Sequence, residues 1–196
     1  MELCLFQGTF NPIHNAHIKI AEYALEHFAK DGVTFIPAYL PPHKQSDSNI
    51  TNHRYKMVEL VVSEHPDFKI SDIEYQRKGK SYTYLTVLEL YKIHKPKTKI
   101  KFLIGTDAFK KIETWYESDK LKNMLDFYVF KRENGFDETE IVHLKNKGYD
   151  YTILPLEFTD ISSTEIRNLI RQNKSLKGLV PKRVEEYIKE NELYKD

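Results

Sequence analysis

Leu3-Cys4-Leu5-Phe6-Gln7-Gly8-Thr9-Phe10-Asn11-Pro12-Ile13-His14-Asn15-Ala16-His17 passes from an apolar run through a glycine-containing turn into the start of an amphipathic stretch. Strand, turn and helix therefore meet within fifteen residues, and that junction is where α/β proteins hold phosphate, because the free amides and dipole of the helix N-terminus face the end of the strand. Gly8 permits a sharp exit from the strand and a close backbone approach to a ligand, and Pro12 fixes its own φ. His14 and His17 are three apart, so a helical first turn places both imidazoles on one side.

Working outward, Ile18, Ala21, Ala24, Leu25 and Phe28 recur at helical spacing until Asp31-Gly32, and Val33 to Ala38 reads as a second buried strand. A polar loop, Pro41 to Ser48, precedes a helix through Met57, Leu60 and Val61 that stops near Pro66. Phe68 to Tyr75 alternates like a strand, Tyr82 to Tyr91 reads as a helix, and Ile100 to Ile104, Asp126 to Phe130 and Tyr151 to Leu154 read as short buried strands. The chain is helical from Ser162 and again from Pro181. Strands alternating with helices predict an α/β fold, a Rossmann-like doubly wound parallel sheet with C-terminal helices, whose ligand lies beyond the carboxyl ends of the strands at the switch in strand order. No Pro/Gly/Ser-rich linker divides residues 1–196, so a single domain is expected.

Charge and composition narrow the partners. Thirty Lys and Arg stand against twenty-nine Asp and Glu, which leaves no field for counterion-release binding to a polynucleotide. A small anion needs only a local basic site. No apolar segment approaches the roughly 20 residues of a membrane span, and Cys4 is the only cysteine, read as a small core hydrophobe. The expectation is a cytoplasmic protein without nucleic-acid or membrane partners. A homo-oligomer stays open, since no interface is legible.

Two stretches together carry a family resemblance. Gly8 to His17 resembles the first signature of the nucleotidylyltransferase superfamily, G-(T/S)-F-(D/N)-P-x-H-x-(G/A)-H, and Ile161-Ser162-Ser163-Thr164-Glu165-Ile166-Arg167 resembles its ISSTxIR element, again at a helix start. The resemblance implies transfer of a nucleotidyl group with release of pyrophosphate. It places Gly8, Thr9, Phe10, His14 and His17 with Ile161, Ser162, Ser163, Thr164 and Arg167 around ATP, and makes His14, His17 and Arg167 the catalytic donors. An acceptor phosphate is already a nucleophile, so this chemistry asks for alignment and charge stabilisation rather than a base. No resident metal site is read, and magnesium is expected to arrive on the ATP phosphates.

The acceptor is narrowed by elements between the signatures. Pro41-Pro42-His43-Lys44 resembles the PPHK loop of the nicotinate mononucleotide adenylyltransferases, Ser81-Tyr82-Thr83-Tyr84-Leu85-Thr86 their SYTxxT element, and Ile104-Gly105-Thr106-Asp107 their IG(A/T)D. Trp115-Tyr116 follows at a matching distance, and Arg132 matches an arginine near the acceptor phosphate. The resemblance assigns His43, Lys44, Thr83, Tyr84, Gly105, Asp107, Trp115, Tyr116 and Arg132 to nicotinate mononucleotide. Read from the residues alone, Trp115 serves either core packing or stacking on a flat ring. The chain departs from the usual pattern at Gln7 and Ala16, where glycine is common, and at Asn11, where aspartate is. Within the class, a nicotinamide mononucleotide enzyme and a phosphopantetheine adenylyltransferase are rivals. A nucleotide sensor without turnover is the rival from another class, and intact His14, His17 and Arg167 argue against it.

Overall fold

The computed structural model describes residues 2–42, 48–132, 135–156 and 161–195. Six strands form one parallel sheet: β1 (Cys4–Gly8), β2 (Val33–Pro37), β3 (Phe68–Ile70), β4 (Ile100–Gly105), β5 (Leu125–Phe130) and β6 (Tyr151–Ile153), in the order β3-β2-β1-β4-β5-β6. This is the Rossmann order expected from the sequence. Chain direction along the sheet reverses between β1 and β4, and their pairing runs only from Cys4↔Lys101 to Phe6↔Leu103. Beyond Phe6 and Leu103 the ladder stops, and this is the switch point, where a doubly wound sheet places its ligand crevice at the carboxyl ends.

Alternation along the strands sends side chains to two cores. Cys4, Phe6, Val33, Phe35 and Leu103 pack with α1 (Asn15–His27), α2 (Ser48–Val62), α8 (Ser163–Arg171) and α9 (Lys182–Glu190). Leu5, Ile36, Phe102, Ile104, Phe127 and Val129 face the opposite layer, which holds α3 (Ile73–Arg77), α4 (Thr83–His94), α6 (Ser118–Leu121) and α7 (Val142–Asn146). A four-residue helix, α5 (Thr106–Phe109), leads directly out of β4. Cys4 is buried in the first core, as read.

One expected element is corrected. Phe68 to Tyr75 is not a continuous strand: β3 ends at Ile70 and α3 begins at Ile73. Asp72 starts the helix, its carbonyl accepting from the Tyr75 and Gln76 amides at 2.8 and 2.9 Å and its carboxylate from the Gln76 side chain at 2.9 Å. The apolar pattern could not separate these outcomes, because Ile73 is buried equally well by either geometry.

A charged residue that escaped the sequence reading holds the carboxyl ends together. Arg54 continues the face of α2 that carries Met57, Val58 and Val61, and it is 1% exposed. Its guanidinium donates to the carbonyls of Thr9 (2.8 Å), Ala38 (2.6 Å) and Tyr39 (3.0 Å). It thus pins the chain leaving β1 to the chain leaving β2. Arg54→Ala removes the donor shared by these three carbonyls, the Ala38 one buried and the others partly so, and a loss of about 3–5 kcal/mol in denaturant unfolding is expected. Arg54→Lys recovers only part, since a single ammonium cannot reproduce the fork.

Candidate active site

The exit of β1 is built differently from its sequence reading. Gly8 stays in the strand, paired with Pro37, and the reversal falls on Phe10, whose φ is 47°. A Cβ on Gly8 would lie 2.9 Å from the Phe10 ring. The glycine is therefore needed by the folded-back phenyl ring. Phe10 is buried and meets the rings of Phe6 and His17 edge-on.

His14 stands at the N-cap of α1 in extended conformation, and His17 lies in the first turn. Their rings stack with centroids 3.7 Å apart. The His14 backbone N–H donates to Nδ1 of His17 at 3.2 Å. That bond makes Nδ1 an acceptor and leaves the His17 proton on Nε2. Both ring nitrogens of His14 are buried with no partner among the described residues. Burial, aided by the Arg132 guanidinium, pushes the His14 pKa down to about 3. Burial, then His14 and Arg132, holds His17 well below the usual imidazole range. The pair is neutral at physiological pH, and each ring offers one N–H.

The second signature is tied to the first by hydrogen bonds spanning about 150 residues of sequence. Ser162 caps α8, its Oγ accepting from the Glu165 amide at 3.1 Å. Ser163 Oγ donates to the Pro12 carbonyl at 3.0 Å, and Arg167 Nη1 donates to the Asn11 carbonyl at 2.8 Å. Arg167 Nη2 donates to Thr164 Oγ1 at 3.1 Å. Ser163 has therefore committed its hydroxyl hydrogen internally, whereas Ser162 and Thr164, which act here as acceptors, keep theirs. Ile161 is half-buried at the edge of the first core. Asn11 Oδ1 accepts from the Tyr194 hydroxyl at 2.6 Å, a C-terminal contact invisible in the sequence pattern.

Gly105 ends β4, and a Cβ there would lie 2.6 Å from both Arg132 Cδ and Asp107 Oδ1. Asp107 and Arg132 thus converge over Gly105, and the Arg132 amide is held by the buried Thr106 Oγ1 at 3.1 Å. Because Arg132 depresses both histidines, its charge also reaches the β1 side of the crevice.

A second cluster sits around the start of α4. Thr83 is buried in its first turn, and the Tyr82 and Tyr84 rings lie 4.9 and 6.1 Å from that of Tyr116, which is 49% exposed. Trp115 is half-buried and meets Phe102 edge-on at 6.4 Å, so part of its surface does serve core packing. Ser81 exchanges bonds with Leu40, its amide donating to the Leu40 carbonyl at 2.9 Å and its Oγ accepting from the Leu40 amide at 3.0 Å. This anchors the stem of the Pro41–Pro42 loop. His43 and Lys44 lie outside the described residues.

A Rossmann-order sheet with the two hydrogen-bonded signatures at its switch point defines a nucleotidyl-transferring class, and the family model described as cytidylyltransferase-like matches residues 5–169. A Clostridium botulinum protein named probable nicotinate-nucleotide adenylyltransferase is 42% identical over 195 residues, 96% of either chain. A Staphylococcus epidermidis protein of the same name is 38% identical over 196 residues, 100% of this chain and 98% of its own. The chain belongs to the nicotinate-nucleotide adenylyltransferase family, within the cytidylyltransferase-like group. Among solved structures, Plasmodium falciparum nicotinic acid mononucleotide adenylyltransferase complexed with NaAD aligns over 98% of this chain and 97% of its own, with a TM-score of 0.80 at 20% identity. That likeness bears on the fold.

Neutral histidines in the fold bind protons only when the chain unfolds, so between pH 6.5 and about 3 the unfolded state takes up more of them. Stability then falls as pH drops through this window, by up to about 1.4 kcal/mol per pH unit for each ring. Chemical denaturation between pH 7.5 and 5 should show a shallower decline in His14→Gln than in the wild type. Equal slopes would mean that the His14 pKa is the same in the folded and unfolded chain, against the depression by burial.

Proposed function

We propose that this chain transfers the adenylyl group of ATP to nicotinate mononucleotide, giving nicotinate adenine dinucleotide and pyrophosphate, with the residues around the β1–β4 crevice in the following roles. An oxygen of the mononucleotide phosphate attacks the α-phosphorus of ATP, the new P–O bond forms as the bond to the bridging oxygen of pyrophosphate breaks, and that oxygen leaves with the electron pair. No proton need be removed. His14 and His17 donate N–H bonds to triphosphate oxygens, Arg167 supplies a fixed charge, and the Ser162 and Thr164 hydroxyls with the first amides of α8 complete the phosphate cradle. Thr9, Phe10 and Ile161 shape the nucleotide side. Arg132 receives the acceptor phosphate, Asp107 accepts ribose hydroxyls beside Gly105, and Trp115 with Thr83, Tyr84 and Tyr116 holds the pyridine ring and its carboxylate. His43 and Lys44 extend the basic side of the acceptor.

The observation that carries this reading is the His14 ring. A buried imidazole with both nitrogens unpartnered costs free energy unless something pairs with it. Stacked on a second neutral donor and facing a guanidinium, it calls for an anion rich in acceptor oxygens. The residue is only 2% exposed, so contact with a triphosphate requires the groups over the ring to move aside. Neutral donors suit this task, because they bind an anion without competing for a proton over the working pH range.

Magnesium enters the proposal on the nucleotide. No group of three or more His, Cys, Asp or Glu able to hold a metal occurs among the described residues, and the triphosphate brings its own oxygen ligands for magnesium. No helix among the described residues is long and apolar enough to cross a membrane; we place the protein in the cytoplasm, as one domain.

Pyrophosphate release from ATP, with nicotinate mononucleotide, nicotinamide mononucleotide and phosphopantetheine offered in turn, tests the reaction. Preference for the first is expected; preference for another acceptor discards the pocket assignment, and no release with any of them leaves the sensor reading. His17→Ala should lower turnover about a hundredfold to a thousandfold with mononucleotide affinity changed only a few-fold. Trp115→Ala should weaken the mononucleotide by about 1–3 kcal/mol and ATP far less. Equal losses for both substrates would return Trp115 to the core.

A further inference from the structure

Beneath the acceptor side lies a carboxylate that the reaction described above does not use. Glu74, in α3, is 1% exposed, on the face of the sheet where its neighbours are Ile36, Ile73 and Val87. Three donors from three segments converge on it. Gln7 Nε2 donates to Oε1 at 2.6 Å, Thr86 Oγ1 donates to Oε1 at 2.6 Å, and the Tyr39 amide donates to Oε2 at 3.2 Å. Arg77 supplies the countercharge, its Nη2 3.7 Å from Oε1 and donating to Thr86 Oγ1 at 3.0 Å.

Each of the three segments borders the crevice. Gln7 precedes Gly8 at the exit of β1 and lies one residue past the last β1–β4 pair. Tyr39 lies in the segment that follows β2, and its carbonyl is held in turn by Arg54. Thr86 lies one turn beyond Thr83 in α4. A carboxylate only accepts hydrogen bonds, so Gln7 must turn its amide nitrogen toward Glu74, which leaves Gln7 Oε1 buried with no partner among the described residues. Burying a charge here is costly, and a well-packed apolar group is often as good for stability alone. The arrangement makes sense when geometry is what is being secured.

We propose that Glu74 is a positioning residue for the acceptor half of the site, fixing the exit of β1, the Tyr39–Leu40 segment that follows β2 and the first turn of α4 in one relative arrangement. The inference rests on the functional reading above. It concerns how the mononucleotide is held and leaves the phosphate chemistry of His14, His17 and Arg167 untouched.

Glu74→Gln is the informative change, because it keeps size and shape. With its one carbonyl oxygen facing Gln7 and Thr86, its NH2 meets the Tyr39 N–H, donor against donor, and the Tyr39–Leu40 segment is released. The expected result is a rise of tenfold or more in KM for nicotinate mononucleotide, with kcat and KM for ATP within about twofold of the wild type. Glu74→Asp, which restores the charge, should recover part of the loss. Both variants are to be checked for a cooperative melting transition. A folded Glu74→Gln with unchanged KM, or with parallel losses for both substrates, overturns the positioning role. Wild-type protein that releases no pyrophosphate with nicotinate mononucleotide overturns instead the functional reading on which it rests.

Discussion

The turn after β1 is made of backbone that no ladder or helix can satisfy, and the fold meets this by reaching in with side chains from elsewhere. The Thr9 carbonyl takes Arg54 from α2, the Asn11 carbonyl takes Arg167 from α8, and the Pro12 carbonyl takes Ser163 from α8. Buried backbone groups left unpaired each cost about as much as a lost hydrogen bond. The same bonds that remove this cost also fix where α8 stands relative to α1, and so bring the two signatures to one place. The site is assembled because its loop needs partners.

That coupling explains why the fold was legible in the sequence while its tightening was not. The apolar runs of β1, β2, β4 and β5, set between helical stretches, were enough to predict a doubly wound sheet, whereas at β3 the pattern ran on past Ile70 into α3. The Gly8–His17 and Ile161–Arg167 stretches stand out in the sequence by their residue types, and the structure joins them through Ser163 to Pro12 and Arg167 to Asn11. Arg54 and Glu74 were missed because each is a charge at a core position, and a pattern reader takes a charged residue for a solvated one. A signal did exist for Arg54: it extends the helical stripe of Met57, Val58 and Val61 where an apolar residue would be expected. Glu74 carried none, since its position was read as strand and only the turn into α3 folds it back beneath the crevice. Asn11 to Tyr194 joins positions too far apart for any local pattern.

The departures from the common family pattern find local reasons. Gln7, where glycine is frequent, supplies a long amide that reaches the buried Glu74, so the substitution is matched by a partner. Asn11 retains the side-chain oxygen that accepts from Tyr194, whose pKa burial raises; a neutral acceptor here keeps the Arg167 guanidinium from being drawn onto a carboxylate. Ala16 is 4% exposed at the start of α1, and its methyl faces protein.

The charge economy of the crevice follows from these choices. Two guanidiniums, Arg132 and Arg167, approach from β5 and α8, and the imidazoles between them are kept neutral by burial and by Arg132 itself. If either histidine were protonated, its charge would stand against that of Arg132, which already disfavours the charged form of both rings. Holding the rings neutral lets the donors sit close enough to stack at 3.7 Å. The positive potential of the crevice then comes from the two arginines, whose charge does not depend on pH in the physiological range. The histidines contribute direction, since Nδ1 of His17 is already occupied and its remaining N–H has one orientation. Field and direction are thereby assigned to different residue types, and the site can attract an anion without changing its own protonation when the anion arrives.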